Sequence, residues 1–101
     1  MDKRFWVKVH HSKTGETVVA ICDEELLGKR INIVEGFSVE VSKAFYGDVL
    51  VREEDLPNYL RQATIINLLG ELIVKYAVTR GIIMEKAIMK IGGIPHIQIY
   101  V

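Results

Sequence analysis

Apolar and polar side chains alternate from the start of the chain: Phe5, Val7 and Val9 interleave with Trp6, Lys8 and His10, the two-residue period of a strand. A second β-rich run, Thr17 to Cys22, follows the polar stretch His11-Ser12-Lys13-Thr14-Gly15-Glu16, whose glycine suits the positive φ of a hairpin loop. Asp23 to Gly28 predicts one helical turn. Asp23 would cap its free N–H groups, Glu24 and Glu25 suit the positive helix end, and Gly28 stops it. Arg30 to Val34 and Phe37 to Val41 read as two more strands joined tightly through Glu35-Gly36, with Phe37, Val39 and Val41 facing the core. Ser42 to Gly47 repeats the pattern of cap and terminal glycine, and Val49 to Val51 adds a short strand.

The second half carries a different period. Asp55 is placed to cap a helix opening at Leu56-Pro57, because proline is tolerated in a first turn. That helix, or its continuation past a bend near Gln62, is predicted to run to about Arg80 and to end at Gly81. Ile65, Ile66, Leu68, Leu69, Leu72, Ile73, Tyr76 and Ala77 fill two adjacent helical stripes, leaving Thr64, Asn67, Glu71 and Lys75 as a narrow polar one. Ala87 to Ile91 and Ile94 to Val101 flank Gly92-Gly93 as a closing hairpin. The expected fold is therefore α+β: an N-terminal meander of four or five short strands, one dominant buried helix across a sheet, and a C-terminal β-hairpin. Residues 1–101 read as a single domain, with Trp6 and Phe37 in or near its core.

Composition narrows the function classes. A chain of 101 residues buries roughly 65% of its unfolded surface, enough for one core without staples. Thirteen basic side chains balance thirteen acidic ones, so no global field draws the protein to nucleic acid and any such contact needs a local cluster. Cys22 is the single cysteine, which removes an internal disulfide and a cysteine-built zinc site and fits a reducing cytosol. Met1-Asp2-Lys3-Arg4 leads straight into a strand-like segment without the apolar stretch of a secretory leader. The most hydrophobic stretch, Ala63 to Val78, is interrupted by Asn67, Glu71 and Lys75 and falls short of the ~20 apolar residues of a membrane span.

Candidate chemistry is sparse. Cys22-Asp23-Glu24-Glu25 places a thiol before a helix N-terminus, the setting of a nucleophile, although adjacent carboxylates raise a thiol pKa. His10 and His11 are strand neighbours pointing to opposite faces, so no metal pair is expected. His96 enters the last strand after Gly93-Ile94-Pro95 and is placed to act as a base or to bind a ligand. Asn67 and Gly70 are poor helix formers within one apolar turn, which points to close packing or a site there. Glu71 and Lys75 make a favourable i, i+4 pair. Gly92-Gly93 precedes a strand and not the helix that dinucleotide and phosphate-loop signatures require, so no cofactor is expected. Lys13, Lys29, Arg30 and Lys43, with Trp6 or Tyr46, are the candidate nucleic-acid surface.

Four segments resemble a known family in the right order along nearly the whole chain. They are Val19-Ala20-Ile21-Cys22-Asp23-Glu24-Glu25-Leu26-Leu27-Gly28-Lys29, Phe45-Tyr46-Gly47, Ala63-Thr64-Ile65-Ile66-Asn67-Leu68-Leu69-Gly70-Glu71 and Gly92-Gly93-Ile94-Pro95-His96-Ile97-Gln98. Together they are similar to domain-of-unknown-function family 424. The resemblance implies a small archaeal protein, a single α/β-type domain, a cytoplasmic home and a tilt towards translation, and it implies no activity. Two functions of different class are thus expected. The preferred one is a non-catalytic binding module acting with RNA or a ribosome-associated protein. The other is a small enzyme or ligand-binding protein whose pocket joins Cys22, Asp23, Asn67, Glu71 and His96. Whether those five residues converge discriminates the two.

Overall fold

Branched and aromatic residues suit a pleated, half-buried surface, and the runs that carry them build a six-stranded sheet. A computed structural model describes residues 3–101. Met1 and Asp2, which open the charged start read above as no leader, lie outside them. Strands β1 (Arg4–His11) and β2 (Thr17–Asp23) form the expected hairpin. A 3-10 turn at Glu24–Leu26 leads to β3 (Arg30–Val34) and β4 (Phe37–Glu40), which pair with each other as a separate two-stranded sheet. Then follow α1 (Lys43–Tyr46), β5 (Val49–Arg52), α2 (Leu56–Leu60), β6 (Ile65–Leu69), α3 (Glu71–Thr79), β7 (Met89–Ile91) and β8 (Ile94–Tyr100). The spatial order is β5-β1-β2-β6-β8-β7. At its centre β2 and β6 run parallel, and the other pairings are antiparallel.

The helix predicted from Leu56 to about Arg80, straight or bent near Gln62, is instead a short helix, a strand and a second helix. The cause is burial on both faces. Ile66 and Leu68 lie beneath α3, while Asn67 and Leu69 point to the opposite side, so apolar residues fall on both faces and the segment loses its two-residue period. Gly70 then turns strand into helix at φ +129°, a value side chains rarely adopt. The polar stripe of Thr64, Asn67, Glu71 and Lys75 accordingly does not exist, since the first two residues precede the helix. Among the described residues the ion pairs are Arg4–Glu24 and Arg52–Glu54, so Glu71 and Lys75 do not form one. Asp55 accepts the Arg52 backbone N–H at 3.3 Å and does not cap α2.

The sheet separates two cores. On one side Phe5, Val7, Val19, Ile21, Ile66, Leu68 and Ile97 pack against Leu56 of α2 and Ile73, Val74 and Ala77 of α3. Full burial of each such aliphatic or aromatic side chain stabilises the fold by about 1.5–3 kcal/mol. On the other side Ala20, Cys22 and Leu69 pack against Ile31, Val41 and Tyr46, with Trp6 partly buried beside them. Phe37 does not reach this core as expected: it is 58% exposed, and Val39 is exposed too. Ile31 and Val41 anchor the base of the β3–β4 hairpin, and beyond it Ile33, Val34, Phe37 and Val39 are exposed. Among the described residues no helix is long and apolar enough to cross a membrane.

Candidate functional site

Asp23 does cap a helix, but not the one its neighbours in sequence suggest. The 3-10 turn after it receives no side-chain cap. Its carboxylate instead crosses to α3, where Oδ2 accepts the Leu72 N–H at 3.0 Å and Oδ1 the Ile73 N–H at 2.9 Å. These are two of the donors that every helix N-terminus leaves free. A Cβ on Gly70 would stand 2.5 and 2.6 Å from the two carboxylate oxygens, so a glycine is required for the approach. Burial raises the Asp23 carboxyl above its ordinary value. The two N–H groups oppose that rise, and the carboxylates of Glu25 and Glu71 add to it. Glu71 itself is exposed at the first position of α3.

Cys22 precedes Asp23 on the strand and therefore faces the other side of the sheet. The register places Cys22 beside Leu69 and Leu69 beside His96, in one row across β2, β6 and β8. Two strand spacings, about 10 Å, thus separate the thiol from the imidazole, with a leucine between them. The thiol is fully buried, and burial with Asp23 nearby pushes its pKa up to about 12, the environment of an inert packing residue. His96 is half-buried and burial lowers its pKa.

Asn67 occupies the next row, between Ala20 and Gln98. Its Oδ1 accepts the Tyr46 hydroxyl at 2.6 Å, and its Nδ2 donates to Gln98 Oε1 at 2.9 Å. A buried amide is thereby satisfied from both sides, and α1 is pinned to the sheet centre. Burial raises the Tyr46 pKa well above its ordinary value. A second pin lies one residue earlier: His10 Nε2 is 2.8 Å from the Phe45 carbonyl oxygen, and its ring stacks on Phe45 at 4.9 Å. Sequence reading missed Tyr46 and Gln98 as partners of Asn67. The alternation of Ile94 to Val101 already put Gln98 on the face of His96, but nothing local linked either to position 67.

Of the five candidate pocket residues, Cys22, Asn67 and His96 therefore share one face of the sheet, while Asp23 and Glu71 belong to the start of α3 on the other. Among the described residues no three His, Cys, Asp or Glu side chains gather as metal ligands. The four candidate cations divide differently. Gly28 N–H donates to the Val41 carbonyl and Val41 N–H to the Lys29 carbonyl, so the start of β3 is laced to the segment entering α1. The Lys43 side chain lies over Gly28, where an added Cβ would meet its Cε at 2.9 Å. Arg30 is held through its Nε to Ser38 Oγ at 3.1 Å. Lys29, Arg30 and Lys43 are all exposed and engaged in no ion pair among the described residues. Lys13 sits on the loop between β1 and β2, at the far end of a seven-residue strand from this cluster.

A family model described as protein of unknown function (DUF424) matches residues 11–101. A crystal structure of an uncharacterized conserved protein from Methanopyrus kandleri superposes with a TM-score of 0.80 at 30% sequence identity, covering 97% of this chain and 91% of that one. No curated protein matches.

Proposed function

The chain belongs to the DUF424 family of proteins of unknown function, and on its geometry we propose that it is a non-catalytic binding module for RNA or the translation machinery in an archaeal cytoplasm. The observation that carries this reading is the gathering of Lys29, Arg30 and Lys43 from two segments at the base of the β3–β4 hairpin. With zero net charge on the whole chain, an anionic partner needs such a local cluster. Phe37, 58% exposed at the tip of the same hairpin, offers an aromatic face on which a base could stack. The source of the structural neighbour supports the archaeal setting.

The alternative, a pocket joining Cys22, Asp23, Asn67, Glu71 and His96, draws less support. Asp23 caps α3, Asn67 is spent on Tyr46 and Gln98, and the Cys22 thiol is shut from solvent. The test is binding of a single-stranded RNA across a salt series. Three phosphate contacts give a log–log slope of roughly −2. Reversing Lys29 and Arg30 to glutamate should flatten that slope and leave the thermal midpoint nearly unchanged, because exposed charges contribute little to stability. Absence of RNA affinity at ~50 mM salt, where such binding is strongest, overturns the reading.

A further inference from the structure

A second surface lies on the other side of the sheet. Between α2 and the end of α3 runs a groove of about 520 Å³ whose floor is aliphatic: Leu60, Ala63, Ile66 and Ile82. Arg61 and Arg80 line it with Tyr76. Across Tyr76 and Arg80 a smaller cleft of about 290 Å³ continues the depression and adds Lys3 and Lys75, with Glu53 as its one acid. Arg80 lies 5.0 Å over the Tyr76 ring, and Arg61 hydrogen-bonds Asn58. Among the described residues neither arginine has a carboxylate partner.

We propose that this groove docks an amphipathic segment of another protein, its apolar side chains on the aliphatic floor and its carboxylates on Arg61 and Arg80. Charge complementarity selects the occupant. Unpaired guanidinium groups beside an apolar trough fit an acidic amphipathic peptide and repel a basic one. Such grooves commonly receive helices through anchors spaced three and four residues apart. Nucleic acid fits poorly, since the one aromatic ring is buried and Arg80 covers its face, leaving nothing for a base to stack on. A second copy fits poorly too, because a two-fold contact would bring the same arginines of both copies together. A small amphiphile would leave much of its surface wet in a depression that opens along two connected clefts.

The experiment titrates the isotope-labelled full chain with two synthetic peptides of about three helical turns, identical in their leucine anchors and carrying either glutamates or lysines between them. The glutamate peptide should bind in the micromolar range expected of a small interface, shifting amide signals of Leu60, Ala63 and Ile82. Its affinity should fall with salt, and Arg61→Glu should weaken it about tenfold. Arg80→Glu should do the same, but it touches Tyr76, so Arg61→Glu carries the test if that variant is unstable. Equal binding of both peptides, or binding of neither, overturns the proposal. So does a larger response of the same amides to oleate, to single-stranded RNA, or to raised protein concentration. None of these readings involves Lys29, Arg30 or Lys43, so the groove and the RNA reading stand or fall separately.

Discussion

Removing the Asp23 carboxylate tests how the two halves of the fold are locked together. In Asp23→Ala the Leu72 and Ile73 N–H groups, now 3.0 and 2.9 Å from carboxylate oxygens, lose their acceptor, the first in a part-buried and the second in a buried setting. Losing an N-cap costs about 0.5–2 kcal/mol, and an orphaned buried donor about 1–3 kcal/mol. Relief of the cost of burying the carboxylate itself offsets part of this, so the expected net loss is about 2 kcal/mol. For a domain of this size that lowers the midpoint of thermal unfolding by about 10 °C. Chemical denaturation should show the same loss at unchanged m-value. Gly70→Ala should also destabilise, through its positive φ and through the carboxylate oxygens 2.5 and 2.6 Å from the new methyl group. In the Asp23→Ala background the second term vanishes, so the two substitutions should couple by about 1 kcal/mol. A loss below ~0.5 kcal/mol for Asp23→Ala, or strict additivity of the pair, would refute the reasoning.

Further outcomes follow from the other face. A thiol reagent should label Cys22 slowly in the native protein and fast after denaturation, because the thiol is fully buried and its pKa is pushed up to about 12; rapid native labelling at neutral pH would make it a nucleophile candidate again. Tyr46→Phe leaves the Asn67 carbonyl without its 2.6 Å donor and should cost about 1–3 kcal/mol in denaturant unfolding, while a neutral result would mean water replaces the hydroxyl. His96 has its pKa lowered by burial, so its contribution is present above the unfolded value of 6.5 and is lost as pH falls through the folded one. Melting curves between about pH 7.5 and 5 should therefore fall less steeply for His96→Gln than for the parent chain.

Hairpins were legible in the sequence because their signals are local. The loop between β1 and β2, the tight turn at Glu35-Gly36 and the glycine pair before β8 each combine a turn residue with flanking two-residue alternation, and all three hairpins form. The strand β6 was hidden for a physical reason. A central strand covered on both faces carries apolar residues on both, and Ile65 to Leu69, with Asn67 its one polar residue, adjoins a true helix whose apolar residues continue in phase. Two signals did mark it. Asn67 and Gly70 are poor in a helix, and they turn out to be the buried bridge between Tyr46 and Gln98 and the turn that starts α3. The site was less legible because its contacts are long-range: Asp23 meets Leu72 and Ile73 some fifty positions away, and no local pattern encodes such a pairing. Alternation predicts Phe37 inside because it gives a strand's face, not whether anything lies beneath it, and Phe37 is exposed.

The most direct test of the binding-module reading is an NMR titration of the labelled chain with a short single-stranded RNA at ~50 mM salt. Amide shifts should concentrate in Gly28 to Val41 and around Lys43, and should vanish when Lys29 and Arg30 are reversed to glutamate. Shifts centred instead on the row of Cys22, Leu69 and His96, or no shifts at all, would contradict it.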